Sequence, residues 1–128
     1  MKNYAIKEHH LYNKAFQKGE RFVTKTVAVY ILRDYAAKRL MLANPEKKYL
    51  NRVGLSVGKR LGGAVLRNRA KRLLREAYRA VKAERGIKCG YLVILVARDE
   101  IKGKKTGDVA KDMLRAFRAL GMLGDGTV

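Results

Sequence analysis

The side chains best equipped for chemistry are cationic and stand close together. Between Lys59 and Lys82 lie nine basic residues, Lys59, Arg60, Arg67, Arg69, Lys71, Arg72, Arg75, Arg79 and Lys82, against one acid, Glu76. Arginine outnumbers lysine there, and its planar fork suits bidentate phosphate contacts and stacking on bases. A merely solvated helical face interleaves Glu with Lys to gain pairing, and this stretch does not. Just ahead of it, Lys59-Arg60-Leu61-Gly62-Gly63 lets backbone approach a ligand closely before a helix start, whose free N–H groups favour anions. It is not a nucleotide-binding P-loop, because no GxxxxGK[ST] string occurs. Tyr12, Phe16 and Tyr30 are the aromatics placed either to stack on unpaired bases or to fill the core.

Other chemistries find few candidates. Metal-dependent phosphodiester cleavage requires clustered carboxylates to hold Mg²⁺. Here the acids are scattered, and Asp99 and Glu100 are neighbours that would point to opposite faces of a strand. His9 and His10 are adjacent and have no thiolate or carboxylate at ligand spacing, so they read as solvated residues near a helix start. Cys89 has no CxxC partner and reads as buried filler. The sequence therefore assigns the protein no catalytic residue and no metal site.

These residues must be positioned by a chain of 128 residues, with 30 Lys or Arg, 11 Asp or Glu and a net charge of +19. That length suits a single domain, 1–128, with 1–5 and 124–128 expected as frayed ends. At 48% hydrophobic residues the chain has material for a core, so the charge does not signal disorder. It calls for a polyanionic partner, nucleic acid first and an anionic membrane surface second. The longest apolar run, Tyr91 to Ala97, is far short of the roughly 20 residues that span a bilayer. The N-terminus lacks the apolar core of a secretory signal, and a lone cysteine fits a reducing compartment, so the reading is cytoplasmic.

Residues 6–18 place Leu11, Tyr12, Ala15 and Phe16 at helical spacing, with Gly19 as the stop. Phe22 to Leu32 reads as one or two strands, Arg39 to Ala43 as a possible extension of the sheet, and Asn44 to Lys48 as a turn. Residues 52–58 form a further strand, Ala64 to about Glu84 the longest helix, and 91–97 a buried strand. A tail helix carries Val109, Met113, Leu114, Phe117 and Leu120 on one stripe, with Asp108 as N-cap. The order is α-β-β-β-α-β-α, an α/β or α+β sandwich on one sheet. Its β-α-β unit from 53 to 97 suggests a parallel pair.

Wrapped at about 100° per residue, the long helix gathers Leu66, Ala70, Leu73, Leu74, Ala77 and Val81 on one side. Asn68, Lys71, Arg72, Arg75, Arg79 and Lys82 gather opposite, while Arg67 and Arg69 flank the apolar stripe. Like charges at i,i+4 repel, and phosphate relieves that repulsion. No spacing matches a helix-turn-helix or zinc finger, so structured RNA fits better than duplex DNA.

The string Arg52-Val53-Gly54-Leu55-Ser56-Val57, then Lys59-Arg60 and GGAVLRNRAKRLLRE at 62–76, resembles the bacterial ribonuclease P protein component. The Ala-Val-x-Arg-Asn-Arg-x-Lys-Arg signature at 64–72 is specific, and the likeness runs from about Ile6 to Leu123. The resemblance implies an α+β sandwich, a small mixed sheet packed with helices, and a left-handed β-α-β crossover where the general rule gives a right-handed one. It also implies a subunit that assists a catalytic RNA in removing the 5′ leader of precursor tRNA. The RNA supplies the active site and holds the Mg²⁺; the protein binds the leader, improves substrate and metal affinity, and requires no further protein partner. On this resemblance Lys59, Arg60, Arg67, Asn68, Arg69, Lys71, Arg72, Arg75 and Arg79 meet catalytic RNA and phosphates. Tyr12, Phe16 and Tyr30, with Arg67 and Asn68, line the cleft for the single-stranded leader. The chain departs from the family in a longer connection at 34–51, in His9-His10-Leu11 before Tyr12, and in Gly63 where asparagine is frequent. The competing reading from composition alone is a ribosomal or general structured-RNA-binding protein without a role in cleavage.

Overall fold

The computed structural model describes the backbone of Tyr4–Ala5 and residues 9–34 and 51–124. Its elements are β1 (Tyr4–Ala5), α1 (His9–Lys18), β2 (Glu20–Val23), β3 (Val27–Arg33), β4 (Arg52–Ser56), α2 (Ala64–Arg85), β5 (Tyr91–Ala97) and α3 (Thr106–Ala119). Short 3₁₀ turns, Lys59–Leu61 and Asp99–Ile101, precede α2 and α3. One mixed sheet runs β1-β4-β5-β3-β2. The neighbours β4 and β5 are parallel and joined through α2, whereas β3 is antiparallel to both β5 and β2. The fold is α+β, as the element order suggests, with one addition: β1 pairs in parallel with β4 where a frayed end was expected. The expected extension at Arg39 to Ala43 and the turn at Asn44 to Lys48 lie outside the described residues, as do Ile6 to Glu8 of the first helix.

Strand alternation divides the core into two layers. Val27, Val29 and Ile31 of β3, with Val93 and Leu95 of β5, face α2 and α3, which supply Leu73, Leu74, Ala77, Val81, Val109, Met113, Ala116 and Phe117. Tyr30 and Leu32, with Leu92, Ile94 and Val96, face α1 through Ala15, Leu11 and Tyr12. Being apolar on both faces, the run 91–97 is the central strand. Burying a side chain such as Leu74 or Phe117 completely contributes about 1.5–3 kcal/mol.

Phe22 to Leu32 resolves into two strands because Thr24 closes a turn. Its hydroxyl donates to the Val27 carbonyl at 2.7 Å and accepts from the Val27 N–H at 3.2 Å. The turn is tied to α3 by Thr26, whose hydroxyl donates to Asp112 Oδ2 at 2.7 Å. Gly19 ends α1 as expected: a Cβ there would lie 2.5 Å from the carbonyl oxygens of both Ala15 and Ile31.

Three local expectations are corrected. Asp108 is not the N-cap of α3; that position is Lys105, and the Asp108 carboxylate accepts from the Lys105 N–H at 3.0 Å from inside the first turn. Leu66 is not core: it and Val65 stand exposed in the first turn of α2, where burial begins only at Ala70. Cys89 is half-buried rather than filler, and burial pushes its thiol up against the opposing pull of Lys82.

Candidate nucleic-acid interface

Helix α2 is fixed by its apolar side. Ala70, Leu73, Leu74, Ala77, Tyr78 and Val81 are buried on the sheet, and the Gly86 N–H caps the far end on the Lys82 carbonyl. Tyr78 adds a polar anchor: its hydroxyl accepts from Asn51 Nδ2 at 3.1 Å, and Asn51 also donates to the Lys88 carbonyl and accepts from the Tyr91 N–H. Burial is the main cause pushing the Tyr78 phenol up to about 12. With one side held, Asn68, Arg72, Arg75 and Arg79 stand exposed on the other, and Lys71 and Lys82 are half-buried along one flank. The three exposed arginines make no ion pair among the described residues. Glu76, the helix's internal acid, accepts from the Thr106 hydroxyl at 2.8 Å, so it faces α3 and not the cationic strip.

The two flanking arginines differ. Arg67 is half-buried, and its Nε is buried without a hydrogen-bond partner among the described residues. Arg69, on the other flank, donates from Nη2 to the Lys104 carbonyl at 2.7 Å. Of the pair before the helix, Lys59 is exposed and Arg60 bridges Asp99 at 2.6 Å, a contact open to water on both sides. Such an exposed pair contributes only about 0–1 kcal/mol and gives way readily to another anion.

The three aromatics come together on the opposite face of the sheet. Phe16 meets Tyr30 edge to face with ring centroids 4.8 Å apart, and Tyr12 lies 6.5 Å from Phe16. Their inner parts pack with Ala15, Leu92 and Ile94, while Phe16 keeps 38% of its surface in solvent and Tyr12 and Tyr30 are half-buried. Tyr12 sits directly over β4, where a Cβ on Gly54 would be 2.5 Å from its hydroxyl oxygen. The rings therefore close a small core and leave an aromatic ledge open.

The ledge has neighbours that the sequence reading passed over. Arg21 of β2 stands opposite Tyr30 in the register, and Val23, 46% exposed, stands opposite Ala28. The period-two alternation around Phe22 was the signal that could have found them. α1 and α2 pack on opposite faces of the sheet, and Arg67 and Asn68 lie near the start of α2, ahead of its first buried residue, Ala70. The turn with Lys59 and Arg60 leads from the C-terminal end of β4 into α2, and so joins the sheet to the cationic helix.

Among the described residues no group of three His, Cys, Asp or Glu side chains is placed to hold a metal ion, and no helix is long and apolar enough to cross a membrane. What this surface can do chemically is bind: on one helix the guanidinium groups of Arg72, Arg75 and Arg79, without ion pairs among the described residues, and aromatic faces on the far side of the sheet.

Comparison with known proteins agrees with that reading. The family model described as Ribonuclease P matches residues 1–121. The ribonuclease P protein component of Geobacillus kaustophilus is 32% identical over 125 residues, covering 98% of this chain and 93% of that protein. Its counterpart from Oceanobacillus iheyensis is 31% identical over 122 residues, covering 95% and 90%. Among solved structures, the Staphylococcus aureus RNase P protein superposes with a TM-score of 0.71 at 26% identity, covering 96% of this chain and all of that one. The Thermotoga maritima RNase P protein, at 19% identity and a TM-score of 0.67, shares the fold over 88% of this chain and 94% of that one. With the signature at 64–72 carried on an exposed cationic helix, the chain belongs to the ribonuclease P family.

Proposed function

We propose that the chain binds the catalytic RNA of ribonuclease P through the exposed face of α2 and holds the 5′ leader of precursor tRNA on the ledge of Tyr12, Phe16 and Tyr30. Family membership makes it a subunit of a ribonucleoprotein endoribonuclease that matures tRNA. The observation that carries the RNA-binding part is the face of Asn68, Arg72, Arg75 and Arg79, exposed and without acid partners among the described residues while Glu76 is turned to α3. In this reading Mg²⁺ is held by the RNA and supplies the hydrolytic chemistry there. The protein's share is positional. Arginines meet phosphates, which fix register, and aromatic faces meet unpaired bases, which bind any sequence. Arg67, half-buried on the flank of that face, fits the first role.

The test is precursor tRNA cleavage at low Mg²⁺ with catalytic RNA alone, protein alone, and both. The expected result is efficient cleavage only by the combination. Protein that adds nothing to the RNA would favour the general RNA-binding reading, and cleavage by protein alone would overturn the division of labour. For the ledge, Tyr30→Ala should weaken binding of precursor tRNA by about 1–3 kcal/mol, the worth of one stacked base, and leave mature tRNA unchanged. Equal losses on both substrates would refute leader binding there.

A further inference from the structure

A second cationic feature lies outside the signature helix. The turn between β5 and α3 carries Lys102, Lys104 and Lys105 within four residues, and all four, Gly103 included, are exposed. It is not a loose loop. Ile101 is buried beneath it, the Lys102 N–H donates to the Asp99 carbonyl at 3.3 Å, and the Lys104 N–H donates to the Ile101 carbonyl at 3.1 Å. Gly103 takes a φ of +74°, a left-handed conformation that suits glycine. At its far end the Lys105 N–H is held by the Asp108 carboxylate.

The turn is also fastened sideways onto α2. Arg69 donates to the Lys104 carbonyl, and two residues further on Thr106 donates to Glu76. Nearby acids are mostly engaged: Asp99 with Arg60, Asp108 with the Lys105 backbone and Glu76 with Thr106, leaving Glu100 as the exposed acid of the 3₁₀ turn. None of the three lysine ammonium groups has an ion-pair partner among the described residues.

We propose that this lysine turn is a second phosphate-contacting surface for the same structured RNA, and that Arg69 is a positioning residue that holds the turn against the cationic helix. This rests on the reading that α2 binds the catalytic RNA. A guanidinium used to hold a backbone carbonyl orders a segment; the segment it orders here is a cluster of unpaired ammonium groups. Fixing their backbone beside α2 removes the backbone part of the ordering cost when phosphates bind.

The experiment is binding of the full chain to ribonuclease P RNA between 50 and 200 mM monovalent salt. K102A/K104A/K105A should weaken binding about tenfold or more and flatten the log–log salt slope by about 2, since each neutralised phosphate accounts for about 0.7–0.9. The charge-conserving K102R/K104R/K105R should keep both near the parent values. Arg69→Ala should weaken binding in the parent and change it less than twofold in the triple-alanine background, the non-additivity expected of a residue acting through the turn. An unchanged affinity and slope in the triple-alanine variant, with Arg72→Ala weakening both, would overturn the proposal and leave the role of α2 standing. Equal Arg69→Ala losses in both backgrounds would instead make Arg69 a direct RNA contact. No effect of Arg72→Ala or of the triple variant would remove the reading of α2 and the proposal together.

Discussion

At the scale of the residue, absent atoms matter as much as present ones. Gly54 gives Tyr12 its seat, and Gly54→Ala puts a methyl group 2.5–2.8 Å from the phenol ring and hydroxyl. That overlap should cost about 1–3 kcal/mol of stability and move Tyr12 off the ledge. Melting would show the first effect; a loss of affinity for precursor tRNA larger than that for mature tRNA would show the second. Tyr78 makes a prediction in pH. Its phenol, buried and pushed up to about 12, stays protonated in the fold through a range where the unfolded chain ionises near 10. The folded state then binds more protons than the unfolded one, so stability is complete below pH 10 and falls as pH rises from 10 to 12. The fall is at most about 2–3 kcal/mol. Unfolding by urea across that window should show it in the parent chain, and Tyr78→Phe should lack that component. The signature residues were legible at this scale because their types are unusual together. The Arg69 contact was not, since its partner is a carbonyl 35 residues away.

At the scale of the element, periodicity located α2 and β5 to within a residue or so, because one buries a clear stripe and the other is apolar on both faces. It failed where an element outruns its support. Leu66 falls on the apolar stripe by angle, yet the first turn of α2 carries Val65 and Leu66 in solvent. Leu73→Ala should therefore cost about 2–5 kcal/mol, as a deep truncation does, whereas Leu66→Ala should cost under about 1 kcal/mol. Thermal or urea unfolding of the two variants would separate them, and equal losses would place the edge of the core wrongly. The division of residues 22–32 into β2 and β3 was ambiguous for a different reason. Thr24 and Thr26 suit a strand by type, but their hydroxyls are spent on Val27 and on Asp112, the latter 86 residues away. The start of α3 was misplaced by a similar logic: Asp108 does cap, but it reaches back from the third helical position.

For the whole molecule, the sum of charges governs. A net +19 on a chain of this size is self-repulsive, and Arg72, Arg75 and Arg79 of α2 and the lysines of the 102–105 turn are exposed. Melting temperature should rise as monovalent salt is raised, and more steeply on adding ribonuclease P RNA; free RNA at a hundred times Kd contributes about 2.7 kcal/mol. A melting curve indifferent to both would contradict the electrostatic account. The polyanionic partner was legible from charge, and the specific family from the signature at 64–72. The placement of α1 and α2 on opposite faces of the sheet was not legible. Strand neighbours here are settled by long-range pairing, β4 beside β5 and β1 beside β4, which no local pattern encodes.

The edge-to-face contact of Phe16 and Tyr30 has an optical consequence. The chain has seven tyrosines and no tryptophan, so its native emission is tyrosine alone. Phe16 is 38% exposed and lies 4.8 Å from Tyr30, and Phe16→Trp installs one indole at the open rim of the ledge. Excited at the red edge, that indole is the chain's lone emitter, and a base stacking on it quenches it. If the ledge holds the leader as proposed, a single substitution turns it into its own fluorometer, reporting occupancy in the intact ribonucleoprotein without a label on the RNA.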